Sequence, residues 1–389
     1  MDILKEKIKQ TIGLLQELQI DLWLIFVRET RVQADPTIEM VVGHEATWQS
    51  LFAFSRGGES IAVVGNLDEA DFLASGRFSE VRTYTADITD EIRRVVESLA
   101  PEQIAVNYSL SDPVSDGLTH GMYLQLTEYV KDTVYAQRLI SSEQLVMKLR
   151  SRKLPSEIKH LRKAAETAEA AWQEAVSRMR VGMTEIEVAR TIEECILARS
   201  AVPSFEAIVN AGDKTQPGHG SPTKARLEPG DLLHVDFGAG VNGYCSDLQR
   251  LAYFRRPGAS ETPTELSDAF STVRDIITNS SENCRPGIKG WELDAGARET
   301  LRDHGYPEYQ HALGHQLGRS VHDGGAILGP KWARYGNLPD LEIERNNVFT
   351  LELEIMLPGI GCVGLEEDVC VTESGGEFLC PRQLELTVI

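Results

Sequence analysis

Residues 2–18 place apolar side chains at helical spacing, the pattern of an amphipathic helix. The run Leu22-Trp23-Leu24-Ile25-Phe26-Val27 then predicts a buried strand. Ile61-Ala62-Val63-Val64 and Ile104-Ala105-Val106 repeat that signature, with a helical stretch at Ile92–Leu99 between them. Strands alternating with helices predict an α/β layered unit. This half holds no phosphate-binding loop, no Gly-x-Gly-x-x-Gly and no short internal repeat.

Near residue 150 the texture changes. A basic patch, Lys148–Arg152, precedes Leu154-Pro155-Ser156-Glu157, in which Pro and an acidic residue open a helix. That helix, about 156–180, is rich in Ala, Glu, Lys and Arg and is predicted to stop at Gly182. Thr184-x-x-Glu187 is a capping box for the next one. The boundary at about 150 gives two domains, residues 1–150 and 151–389. Farther on, Asp231–Gly238 and Gly243–Phe254 read as strands joined by the hairpin signal Asn242-Gly243. Helices are predicted over about 265–284 and over Trp291–His304, the latter stopped by Gly305. Val348–Met356 and Gly361–Thr372 form a second hairpin around Pro358-Gly359.

Charge narrows the function. The 389 residues carry 39 Lys+Arg against 59 Asp+Glu, a net charge of -20. Such a chain repels a phosphate backbone and an anionic membrane surface, so neither nucleic acid nor membrane is an expected partner. The excess is spread evenly: residues 1–150 hold 14 basic and 23 acidic side chains, so it is no docking tail. Apolar runs fall far short of the roughly 20 residues that span a bilayer. The amphipathic start lacks a signal-peptide core, and a cytoplasmic protein is expected. Six cysteines, all beyond residue 190 and without a Cys-x-x-Cys pair, read as scattered thiols.

The two hairpins carry acidic residues on both strands: Asp236 and Asp247 in the first, Glu352 and Glu366 in the second. Each carboxylate is expected to sit roughly opposite its partner, about 4.5–5.5 Å apart at Cβ. Carboxylates that close repel and force a proton onto one of them, and a bridging divalent cation removes that penalty. Taken singly, each is an ordinary turn or solvent carboxylate, and Glu366-Glu367-Asp368 alone reads as a solvated charge run. His234 shares strand parity with Asp236 and reads first as core packing, then as support for a site. The segment from His311 through His315 to His322 threads three of the nine histidines between glycines. One imidazole among four carboxylates suits Mn, Co, Fe or Zn.

These residues together resemble the pitta-bread metallopeptidases: aminopeptidase P, prolidase, methionine aminopeptidase and, more distantly, creatinase. Asp236-Phe237-Gly238-Ala239 followed by Gly243-Tyr244-Cys245-Ser246-Asp247-Leu248-Gln249-Arg250 resembles the family's first metal hairpin. Gly314-His315-Gln316-Leu317-Gly318 with His322 is similar to its histidine segment. Val348–Glu352 and Leu365–Glu373 resemble its last two ligand segments. The first 150 residues resemble, more weakly, the creatinase/prolidase-type N-terminal domain, which points to the prolidase and aminopeptidase P branch.

The resemblance implies an α+β pitta-bread fold with a smaller α/β N-terminal domain. It implies two divalent ions held by Asp236, Asp247, His315, Glu352 and Glu366. Glu352, His219 and His322 would be catalytic, and His219, His311 and His322 would bind substrate. The substrate would be a short peptide with proline in the second position, and the protein a homodimer. For the last ligand, the Val-Thr-Glu ending favours Glu366 over Glu367, and the Thr-Leu-Glu register favours Glu352 over Glu354. Two departures stand out: Leu353 where the family usually has proline, and Gly364 where prolidase-type members often have arginine. They leave room for a metal-dependent hydrolase or lyase acting on a small non-peptide C–N substrate. A non-catalytic binding module is the remaining alternative.

Overall fold

The computed structural model describes residues 2–214 and 220–389. The chain divides into two compact units, Met1–Arg150 and Ser151–Ile389.

The first unit is built on a six-stranded mixed sheet. Its order is Glu80–Tyr84, Ser60–Gly65, Ser50–Ser55, Leu22–Val27, Ile104–Val106, Leu139–Ser141. The apolar run Leu22–Val27 lies at its centre and alternates faces. Trp23, Ile25 and Val27 join one core, with Leu14 and Leu15 of helix Ile3–Leu18. Leu22, Leu24 and Phe26 join another, with Val95 of helix Thr89–Leu99 and Met122 of helix His120–Val130. A strand covered on both faces needs apolar residues at every position, which is why the run is continuous.

The second unit is organised by a seven-stranded sheet whose main path is Val348–Leu357, Gly361–Thr372, Leu248–Tyr253, Leu232–Phe237, Ile208–Ala211, each pair antiparallel. Odd positions Phe349, Leu351, Leu353 and Ile355 enter the core formed with Phe270, Val273 and Ile277 of helix Thr264–Asn283 and Leu301 of helix Gly290–Asp303. Each such side chain contributes about 1.5–3 kcal/mol by burial. Even positions Thr350, Glu352 and Glu354 project to the other face of the strand. Helix Pro155–Arg178 starts with Pro155 at its first turn, and Glu157 accepts a hydrogen bond from Leu154 N at 2.8 Å. Thr184 and Glu187 cap helix Glu185–Leu197 reciprocally.

Two local expectations are corrected. The strand predicted over Gly243–Phe254 is interrupted at Ser246–Asp247, leaving Tyr244–Cys245 and Leu248–Tyr253. The charge run Glu366-Glu367-Asp368 is not solvated: its members are 1%, 2% and 1% exposed, because a central strand covered on both sides buries every position.

Candidate metal centre

The register of the sheet assembles the acidic face. Asn242 and Gly243 both have positive φ, 53° and 76°, forming a two-residue turn of the type that closes tight hairpins. That turn sets Asp236 opposite Gln249 and places Asp247 two residues along, opposite Gly238. The expectation that Asp236 and Asp247 face one another directly is therefore corrected: they are diagonal neighbours. In the second hairpin Glu352 pairs with Glu366, and Gln249 pairs with Glu366 across the next interface. Asp236, Gln249, Glu366 and Glu352 thus form one row across four strands. Side chains directly opposite on adjacent strands share a face. Asp247 and Asp368 form an adjacent row: Asp247 N donates to Asp368 Oδ2 at 3.3 Å.

His315 arrives from outside the hairpins. Its segment runs along the edge strand Val348–Leu357: Thr350 N donates to His315 O at 2.9 Å, and Glu352 N to Leu313 O at 2.8 Å. This brings His315 Nε2 to 3.7 Å from Asp247 Oδ2 and 3.9 Å from Glu352 Oε1. One ligand atom from each of Asp247, His315 and Glu366 lies within 4.8 Å of the others. The His322 ring stands edge-on to the His315 ring, centroids 4.3 Å apart. His311 is exposed, its ring 5.5 Å from that of Tyr309 and its carbonyl held by Arg298. His219 lies outside the described residues.

Burial and mutual repulsion shift the acids of this face. Burial pushes the Asp236 carboxyl up to about 7, with a hydrogen bond to Asp247 opposing the rise. Burial, with Asp236 beside it, pushes Glu352 up to about 8. Asp247, Glu366 and Asp368 are driven well above the carboxylate range, first by burial and then by the charge of neighbouring acids. Burial and then His322 drive His315 down to about 3, so its ring is neutral and able to ligate. Asp236 Oδ1, Asp247 Oδ1, Glu366 Oε1 and Asp368 Oδ1 are buried without a hydrogen-bond partner among the described residues. Buried polar atoms are usually satisfied, and four orphaned carboxylate oxygens beside one neutral imidazole fit divalent cations.

Glu367 belongs to the opposite face. Its carboxylate accepts from Arg250 Nη2 at 3.0 Å, while Arg250 Nε also reaches Glu169 at 2.8 Å. Glu354 follows Glu352 on the acidic face and accepts from Cys362 Sγ at 3.4 Å. Two residues of the site were not anticipated from sequence, Gln249 and Asp368. Gln249 Nε2 donates to Glu366 Oε2 at 2.8 Å and Glu352 Oε2 at 3.4 Å. Strand parity with Asp247 and Glu366 was the available signal. A cleft of about 720 Å³ lined by Ile186, Ile192, Phe205 and Phe237 does not include the carboxylates, since Phe237 points away from Asp236 along an alternating strand.

The fold and this face together define a class. The sequence pattern of "Metallopeptidase family M24" matches residues 159–373, more than half of the chain. The chain belongs to metallopeptidase family M24 and has its pitta-bread fold. It is similar to a solved Xaa-Pro dipeptidase from Bacillus anthracis, with 27% identity, TM-score 0.79, and 99% of this chain and 100% of that one covered. It is also similar to an X-Pro aminopeptidase from Thermotoga maritima, with 26% identity, TM-score 0.76, and coverage of 98% and 99%. Among curated sequences, an Xaa-Pro dipeptidase of Pyrococcus horikoshii is 26% identical over 388 residues, covering 99% of this chain and 100% of that protein. As a metallopeptidase family member the chain is an enzyme. No helix among the described residues is long and apolar enough to cross a membrane.

Proposed function

We propose that the protein is a dinuclear metal-dependent exopeptidase that hydrolyses the N-terminal peptide bond of Xaa-Pro peptides. The observation that carries this reading is the acidic face on which Asp236, Asp247 and Glu366 each keep a buried oxygen without a partner among the described residues, closed by the neutral His315. The printed names of the full-length relatives, Xaa-Pro dipeptidase and X-Pro aminopeptidase, support the peptide class. Asp236, Asp247, His315, Glu352 and Glu366 would hold two ions of the Mn, Co, Zn or Fe kind. When bound, the ions supply an acidified water and a Lewis acid toward the scissile carbonyl.

The chain's own groups do the rest. Glu352 Oε1 is the oxygen that Gln249 leaves free, and it takes the proton of the attacking water. His322 donates to the carbonyl oxygen as charge develops, a contribution of about 3–4 kcal/mol for a well-placed donor. His311 contacts the substrate at the rim, and His219 holds the proline side. A cytoplasmic homodimer is part of the same reading, and six cysteines outside any disulfide suit a reducing compartment.

The test is removal of metal by chelator, elemental analysis, and restoration with Mn or Co, followed by assay of Xaa-Pro dipeptides, tripeptides and small non-peptide amides. Activity lost with metal and restored for Xaa-Pro substrates is the expected result. Full activity in metal-free protein overturns the mechanism, turnover of non-peptide C–N substrates alone overturns the substrate, and absence of bound metal points to a binding module.

A further inference from the structure

Gly364 lies on the acidic face, two residues before Glu366, and the space above it is filled. A Cβ built there would lie 2.7 Å from both Gln249 Oε1 and His234 Nε2. Gln249 and His234 are both buried. They form a chain: Gln249 Oε1 lies 2.9 Å from His234 Nε2, and His234 Nδ1 lies 3.1 Å from Asn210 Oδ1. At its other end the Gln249 amide meets Glu366 and Glu352.

The polarity of this chain is set from the carboxylate end. With divalent ions bound both acids are ionised and only accept, so the nitrogen of Gln249 faces them and its carbonyl faces His234. The His234 ring therefore carries a proton on Nε2. Asn210 can offer its N–H to the remaining ring nitrogen by a half-turn about its terminal bond.

We infer that Gln249, backed by His234 and seated over Gly364, is a positioning residue that turns the free oxygens of Glu366 and Glu352 toward a common centre. The inference rests on the metal-centre reading above. One amide nitrogen has two hydrogens, and here both go to carboxylates, Glu366 on the neighbouring strand and Glu352 on the strand beyond it. With Oε2 of each acid held, rotation about the terminal carbon–carbon bond is restrained. The oxygens left over are Glu366 Oε1, without a partner among the described residues, and Glu352 Oε1, which faces His315. A cation in place of the amide would neutralise charge that divalent ions need, and a further carboxylate would add repulsion. A neutral donor orients ligands without either effect, as groups behind metal ligands do.

The experiment compares the full-length wild type with Gln249→Leu and with Gly364→Ala. Gln249→Leu deletes the amide at similar volume, and Gly364→Ala displaces the pair without deleting a polar atom. Three quantities are measured: affinity for Co(II) by competition with a chelator, the visible absorption of the Co(II) protein, and kcat and KM. Both variants are expected to bind Co(II) about 10–100-fold more weakly. They should also show an altered Co(II) spectrum and lose kcat with little change in KM. A merely structural role would lower thermal stability of the metal-free form and leave the spectrum of the folded, loaded fraction alone. Wild-type affinity and spectrum in either folded variant overturns the inference. A wild type that binds no Co(II) overturns the metal-centre reading itself, a separable outcome.

Discussion

Removing metal should leave a protein whose stability falls as pH rises from 5 to 8. Asp236 is raised from 3.8 to about 7 and Glu352 from 4.5 to about 8, both first by burial. A carboxyl with a folded pKa above its unfolded value binds more protons folded than unfolded between the two. Stability then declines with pH across that window, here from about 4 to about 8, and is unaffected by these groups below it. Raising a carboxyl's pKa by one is worth about 1.4 kcal/mol, so one such carboxylate costs roughly 4 kcal/mol by pH 8. The pair costs less than twice that, because the repulsion between Asp236 and Glu352 is shared. For a unit of this size 1 kcal/mol moves the midpoint by about 2–4 °C, so the metal-free midpoint should drop by about 10 °C or more. Divalent ions take the place of those protons and should raise the midpoint most at pH 8. The assay is thermal unfolding by circular dichroism at pH 5, 6, 7 and 8, with chelator and with Mn or Co restored. The double variant Asp236→Asn, Glu352→Gln separates the site from general charge repulsion, and its metal-free midpoint should vary less with pH. A metal-free wild-type midpoint that is flat or rising over this range refutes the reasoning, as does equal stabilisation by metal at pH 5 and pH 8.

The adjacent acids should separate by role: Glu366→Gln should lose bound metal in elemental analysis while remaining folded. Glu367→Ala should instead cost about 3–5 kcal/mol in denaturant unfolding, because it strips a partner from the fully buried Arg250, and its folded fraction should keep metal. Gly314→Ala would put a Cβ 2.0 Å from Thr350 O, prising the His315 segment off its strand. It should cost about 1–3 kcal/mol and weaken metal binding measured by chelator competition. Gly238→Ala would meet Ser246 O at 1.8 Å and should open the Asp236–Asp247 hairpin, with a lower thermal midpoint and lost activity.

Elements ruled by one periodicity throughout were legible in the sequence. Helices such as Thr264–Asn283 and the hairpin of Val348–Leu357 with Gly361–Thr372 lie within a few residues of their predicted bounds. The Glu352–Glu366 pairing followed because Gly359 sits at the centre of its turn. The direct Asp236–Asp247 pairing does not form: it would need a turn centred on Val241-Asn242, and the turn on Asn242-Gly243 slides the opposite partner by two residues. Strand Glu80–Tyr84 was not foreseen, since its half-exposed, mixed side chains give no apolar run. Gln249 escaped because metal ligands are sought among charged groups and imidazoles, whereas an amide acts on the ligands from behind. Its role depends on Gly364, far away in sequence but adjacent across the strands.

The glycines of this unit therefore do two different jobs. Gly359, with φ at 75° and nothing within 4 Å of its would-be Cβ, serves a turn. Gly238, Gly314 and Gly364 have no such backbone requirement, yet a Cβ at each would strike a backbone carbonyl or the Gln249–His234 pair. A sheet face bearing acids on neighbouring strands cannot be covered by ordinary apolar packing, because the carboxylates would be desolvated without compensation. It must keep room for donors and ions instead. The three spatial glycines lie beside that face: Gly238 opposite Asp247, Gly314 just before His315, and Gly364 beneath the amide that joins Glu366 to Glu352. Substitution by alanine should thus act at Gly359 only through dihedral strain, and at the other three through the carboxylates they make room for.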